Sequence, residues 1–241
     1  MKKLIIAIVA LTVFPGCRYQ QESTEVISVM TDPTDRRLRL PKIEDIWLAA
    51  NFSENISKSV TVKFSLISDK AINIPLQYRI GTERETRKQL IANGQQRVQT
   101  VNYFHDVLKK VTDSLNASVD KTAELPYSEI FTLLRSELLT ASRYKGSKYH
   151  ILIYSDLRER GLFDSYSMYG ITTDSLARSL QKKYPFPIKL RNVSISVFYQ
   201  PRNRQDDSAF QFMFDVYKIL LSNTGAELYL NGTEIPLEHE Q

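Results

Sequence analysis

The sequence predicts an α/β domain in three layers, with a mostly parallel central sheet, one antiparallel edge strand and helices on both faces. Three observations carry that expectation. Apolar runs of strand length alternate with segments whose apolar residues recur at helical spacing, the pattern of successive strand-helix-strand units. The run from Tyr149 to Tyr154, YHILIY, is apolar on both faces of the pleat apart from His150, as suits a strand covered on both sides. One pair of alternating segments flanks a short polar turn, which makes a hairpin and supplies the antiparallel strand.

At 241 residues the chain accommodates one such domain with short extensions. Its first residues are of another kind. Lys2 and Lys3 precede an apolar run from Leu4 to Leu11 that continues to Phe14, followed by Pro15-Gly16-Cys17. This is the grammar of a signal peptide over residues 1–16. The run is too short to span a membrane, which takes about 20 apolar residues. Cys17 is the sole cysteine, so it closes no disulfide within the chain. Phe14-Pro15-Gly16-Cys17 resembles the bacterial lipobox, with Gly16 as the small residue before the cysteine, while Phe14 and Pro15 depart from the usual pattern. The resemblance implies lipidation at Cys17, and Arg18 in place of an aspartate implies passage to the outer membrane. A secretory leader cut nearby, beside an incidental cysteine, is the plainer alternative.

Residues 18–24 are polar and without periodicity, which makes 17–24 a lipidated tether on this reading. The domain is expected over 25–235, and a tail over 236–241. Its first strand, Glu25 to Thr31, stops at Asp32-Pro33-Thr34-Asp35, where Pro33 has no donor for a ladder. Lys42 to Phe52 places Ile43, Ile46, Trp47 and Ala50 on one helical face. Val60 to Ile67 and Ile72 to Ile80 alternate around Ser68-Asp69-Lys70 and form the hairpin. The polar stretch from Gly81 to Ser118 is helix-compatible, with a stripe at Val101, Phe104, Leu108, Val111 and Leu115. A further helix is expected from Pro126, its face made by Tyr127, Ile130, Phe131, Leu134, Leu138 and Ala141. After the central YHILIY strand comes a helix over Asp174 to Tyr184, closed by Pro185, and a strand at Val193, Ile195 and Val197. Ser208 is a candidate cap for a helix that ends at Gly225, and Glu227 to Leu230 closes the domain as a short strand.

A strand ending in Asp32-Pro33-Thr34-Asp35, with a central strand ending in Ser155-Asp156, resembles the von Willebrand factor A domain, a Rossmann-type three-layer fold. In that family an Asp-x-Ser-x-Ser motif, a threonine before a middle helix and a later aspartate hold Mg²⁺ and a ligand carboxylate. Carried onto this chain, the resemblance implies Asp32 as the first aspartate, Thr34 for the first serine, Ser128 for the threonine and Asp156 as the later aspartate. The second serine is replaced by Arg36. A guanidinium ligates no cation and is able to pair with Asp32 or Asp156, so a vacated or weakened Mg²⁺ site is expected and no other cofactor. The plainer reading is that Asp32 and Asp35 cap the turn that follows them.

These readings make the chain a non-catalytic, lipid-anchored protein of the bacterial cell envelope that binds a protein partner through the loops around Asp32, Thr34, Arg36, Ser128, Asp156 and Arg158. The alternative is a metal-dependent phosphoester hydrolase using Asp32, Asp35 and Asp156. It lacks a glycine-rich phosphate loop, and its aspartate spacing is not Asp-x-Asp. Nucleic acid is not an expected partner: removing Lys2 and Lys3 from the 32 basic residues leaves 30 against 27 acidic ones. The groupings Arg36, Arg37, Arg39 and Lys182, Lys183 read as solvated faces. His105, His150 and His239 lack metal-ligand spacing and read as packing or solvent-facing residues. Phe163, Tyr166 and Tyr169 lie in the irregular connection after Asp156, where aromatics suit either an interface or packing over the sheet edge.

Overall fold

The computed structural model describes residues 24–34, 38–53, 56, 58–67, 75–81, 94–121, 128–144, 147–167 and 170–231. The expectations attached to the leader, Cys17 and its tether as far as residue 23, Asp35, Arg36, Arg37, the turn at Ser68 to Lys70, Ile72, Ile74, Pro126, Tyr127, Tyr169 and the tail lie outside these residues, while Thr24, expected in the tether, begins the first strand. Among the described residues the strands, in chain order, are β1 (Thr24–Thr31), β2 (Ser59–Leu66), β3 (Leu76–Ile80), β4 (Lys148–Tyr154), β5 (Val193–Phe198) and β6 (Glu227–Leu230). The helices among the described residues are α1 (Ile43–Ala50), α2 (Gly94–Lys121), α3 (Ile130–Ala141), α4 (Thr173–Lys183) and α5 (Arg204–Leu221). None of them is long and apolar enough to cross a membrane.

The strands form one six-stranded sheet in the order β3-β2-β1-β4-β5-β6. All pairs are parallel except β2 with β3, which places the one antiparallel strand at an edge. This is the doubly wound strand order, with β1 and β4 as central neighbours. Their registers explain why the sequence reads as it does. Val26 and Met30 of β1 join Ile151 and Ile153 of β4 under α3, α4 and α5, where Leu134, Leu180, Met213 and Tyr217 close the core. Ile27 and Val29 turn the other way, with Leu152 and Tyr154, toward Ile46 of α1 and Val101, Phe104 and Leu108 of α2. Burial on both faces removes the polar alternation that a half-exposed strand would show.

Helix boundaries differ from expectation where polar residues carry the signal. The third helix starts at Ile130, not near Pro126. The last helix starts at Arg204, capped by Asn203, whose Oδ1 accepts from the Asp206 N–H at 2.9 Å. Ser208 instead lies inside α5 and donates to the Arg204 carbonyl at 2.9 Å. Removing the cap by Asn203→Ala is expected to lower stability by about 1 kcal/mol, measured as a shift of the urea midpoint with unchanged slope. Arg39 also departs from its solvated reading. Its guanidinium pairs with Asp45 at 2.8 Å, lies over the Phe198 ring at 4.8 Å and is only 15% exposed. Lys182 and Lys183 are exposed, as expected.

Candidate functional site

Because β1 and β4 run parallel side by side, their last residues meet at one end of the sheet. The Asp32 N–H donates to the Tyr154 carbonyl at 3.0 Å, which continues the ladder one residue beyond β1 and brings Asp32 alongside Ser155 and Asp156. The Asp32 carboxylate then becomes a hub. Its Oδ1 accepts from the Thr34 N–H at 3.0 Å and from the Thr34 hydroxyl at 2.6 Å. Its Oδ2 accepts from the Ser128 hydroxyl at 3.1 Å and the Ser155 hydroxyl at 2.8 Å. An ionised carboxylate offers about four acceptor positions, so these four donors occupy all of them. The turn-capping bond to Thr34 is present, and it is one part of a larger arrangement tying β1, the segment before α3 and the end of β4 together.

Ser155 relays this arrangement into the next loop. Its hydroxyl also accepts from the Leu157 N–H at 3.0 Å, while Leu157, buried, sits at φ 61°, a left-handed conformation that a branched side chain rarely adopts. Asp156 accepts from the Arg158 N–H at 3.0 Å through Oδ1. Its Oδ2 accepts no hydrogen bond among the described residues. Glu159, fully buried, accepts from Phe131 N–H at the start of α3 and from Leu162 N–H, both at 2.9 Å. A carboxylate thus satisfies a helix-terminal donor from outside the helix.

Burial dominates the electrostatics. It raises the Asp32 carboxyl above its ordinary range despite the lowering effect of its four hydrogen bonds. It pushes Asp156 up to about 7, where the Arg158 N–H opposes the shift and the negative charge of Asp32 adds to it. Burial pushes Glu159 up to about 7 as well. No cationic side chain among the described residues forms an ion pair with any of the three. Asp206, at the start of α5, behaves oppositely: the Arg202 guanidinium, at 2.9 and 3.1 Å, holds it well below the usual range.

Of the residues singled out in the sequence, the structure brings Asp32, Thr34 and Ser128 into direct contact and sets Asp156 beside them. Arg158 stands on the following loop, its guanidinium over the Tyr166 ring at 3.5 Å. Phe163 packs inward on Phe131, with ring centroids 6.4 Å apart. His105 packs edge-on against Trp47, and His150 Nδ1 shares a hydrogen bond with the Ser194 hydroxyl at 2.7 Å. Asp35 and Arg36 lie outside the described residues, and with them the pairing expected of Arg36 and the third carboxylate of a hydrolase. Sequence reasoning missed Ser155 and Glu159. For Ser155 the signal was its position, at the end of a buried strand and directly before a singled-out aspartate.

The oxygens around the satisfied Asp32, from Thr34, Ser128, Ser155 and Asp156, are a donor set of oxygen alone, which suits a hard divalent cation such as Mg²⁺. Two buried carboxylates without a cationic partner also favour a positive charge nearby. Among the described residues no group of three or more His, Cys, Asp or Glu side chains is placed to hold a metal ion. An ion here would therefore rest on hydroxyl oxygens as much as on carboxylates.

Fold and site together define a three-layer α/β domain with a carboxylate and hydroxyl cluster at the carboxyl end of its two central strands. No family model and no curated protein matches the chain. Among solved structures it is similar to the conserved hypothetical protein BatB from Bacteroides thetaiotaomicron, with 8% identity over 87% of this chain and 91% of that one and a TM-score of 0.35.

Proposed function

We infer that this chain is an exported lipoprotein of the cell envelope, anchored through Cys17 at the outer membrane, and that its domain binds a protein partner without catalysis. The binding face is the loop surface at the carboxyl ends of β1 and β4, formed by the segments of Asp32 to Thr34, Ser128, and Asp156 to Tyr166. The observation that carries this reading is the saturation of Asp32. A carboxylate whose acceptor positions are all filled by internal donors acts as a fastener between loops, and a general base or nucleophile needs a free one. Loops fastened in this way offer a fixed surface, which lowers the ordering cost of association.

Thr34, Ser128 and Asp156 are the residues that would hold a Mg²⁺ ion, which would supply positive charge to the buried carboxylates and a coordination position for a partner's oxygen. With Asp32 already satisfied, the fastened loops do not depend on that ion. A photo-crosslinking amino acid in place of Ile171, which is 42% exposed and lies in the same connection between β4 and α4 as Asp156 to Tyr166, tests the face; the same label at Lys148, at the opposite end of β4, is the control. In intact cells a discrete crosslinked species is expected from position 171 alone, and it persists when divalent cations are chelated. Equal crosslinking from both positions, or none from 171, would overturn the assignment of the face. Loss on chelation would overturn the metal-independent mode.

A further inference from the structure

The loop after β4 carries two guanidinium groups that form no ion pair among the described residues. Arg158 and Arg160 both lie over the ring of Tyr166, their central carbons 3.5 and 4.4 Å from its centroid. Cation–π attraction at this distance holds each guanidinium against the ring without using its N–H donors. Among the described residues neither guanidinium forms a hydrogen bond or an ion pair with a carboxylate. Asp164 comes near enough for both charges to act on it, after Ser167 and Tyr166 N–H, in holding its carboxyl below the ordinary range. Its two carboxylate oxygens are engaged instead by Tyr166 N–H and by the Ser167 hydroxyl.

The backbone that carries these groups is fixed at several points. Arg158 N–H is bonded to Asp156 at 3.0 Å, Arg160 N–H to the Ser128 carbonyl at 3.2 Å, and Ser165 N–H to the Glu159 carbonyl at 2.9 Å. Arg160 and Asp164 also face each other across an isolated antiparallel bridge. Two planar, permanently charged donors are therefore held in place before any ligand arrives, at the rim of the face described above.

We propose that Arg158 and Arg160, stacked on Tyr166, form a clamp for a single carboxylate, the side chain of an Asp or Glu in an acidic segment of a partner protein. The assignment rests on the protein-binding reading of this face and names the chemistry of its partner. A planar carboxylate matches the guanidinium edge in two parallel hydrogen bonds. Dense polyanions fit less well: Asp156 and Asp164 stand within the same loop, and a nucleic acid or a phosphate-rich surface laid across the clamp would meet their charge as well. A side-chain carboxylate is small enough to reach the arginines without crossing the acids.

Fluorescence anisotropy of the full chain with a labelled ten-residue polyglutamate peptide tests the clamp, with a ten-residue polyglutamine peptide and a single-stranded oligothymidylate of ten nucleotides for comparison. The glutamate peptide is expected to bind, the glutamine peptide not to, and the oligonucleotide to bind more weakly than the glutamate peptide. The double variant Arg158→Gln, Arg160→Gln is expected to lose about tenfold or more in affinity for the glutamate peptide. Arg158→Lys with Arg160→Lys keeps the charge but not the planar fork, and is expected to lose severalfold. Full affinity in either double variant, equal binding of the two peptides, or tighter binding of the oligonucleotide would overturn the proposal. The two levels separate cleanly. Failure of the peptide with the position-171 crosslink intact removes the carboxylate assignment and leaves the partner face. Peptide binding without any crosslink does the reverse.

Discussion

Asp32→Ala is expected to destabilise the domain by about 3 kcal/mol, since it strands the buried Ser128 and Ser155 hydroxyls and the half-buried Thr34 N–H, at about 1–3 kcal/mol for each buried group left unpaired. Part of that sum is offset, because burial of the Asp32 charge is itself unfavourable and the raised carboxyl records that penalty. Asp32→Asn separates the two effects. Its amide oxygen keeps both Thr34 donors, its NH₂ donates to the serine hydroxyls once they rotate, and no charge is buried, so a change within about 1 kcal/mol is expected. Urea unfolding of the two variants measures the difference. An alanine variant as stable as the asparagine one would mean that the four bonds to Asp32 do not fasten the loops.

Stability is expected to fall as pH rises through about 7. Asp156 and Glu159 each titrate near 7 in the folded chain, against ordinary values of 3.8 and 4.5. Between those limits the folded chain holds protons that the unfolded chain has released, so the contribution is complete at low pH and is lost as the folded groups ionise. His150 works in the opposite sense. Burial lowers it from 6.5, so the unfolded chain takes up its proton first as pH falls. Two acids against one imidazole leave a net gain on the order of 2–3 kcal/mol on going from about pH 8 to about pH 5.5. Urea midpoints at the two pH values measure it. The double variant Asp156→Asn, Glu159→Gln is expected to flatten the profile, and a profile that rises with pH in the parent chain would contradict the burial of these acids.

Much of the architecture was legible because it depends on periodicity. β4 announced itself through Tyr149 to Tyr154, and the hairpin through alternation that puts Val62 beside Tyr78. The start of α5 was not legible: Arg202 to Asp207 is polar throughout, so the first large apolar residue, Phe210, pointed to Ser208 as the cap, and the cap at Asn203 shows only in the bond it makes. The same division runs through the site. Asp32 and Thr34 belong to one turn and could be read together. Ser155 and Asp32 are 123 residues apart, and a serine at a strand end looks like any other until the neighbouring strand is known. Arg39 illustrates the converse, a residue grouped by charge with its sequence neighbours whose actual partners are Asp45 and the ring of Phe198.

The place of β1 at the centre of the sheet has a consequence in time. Among the described strands it is the first to be synthesised, and it is paired on one side with β2 but on the other with β4, Thr31 lying opposite Tyr154. At ribosomal speed the intervening stretch takes on the order of 10 s to make, and so non-local a pairing is slow to form afterwards. Until then an apolar strand has one open margin and the sheet has no middle. On the export reading inferred above, that delay would keep the chain competent for passage through a translocation channel and defer assembly to the far side.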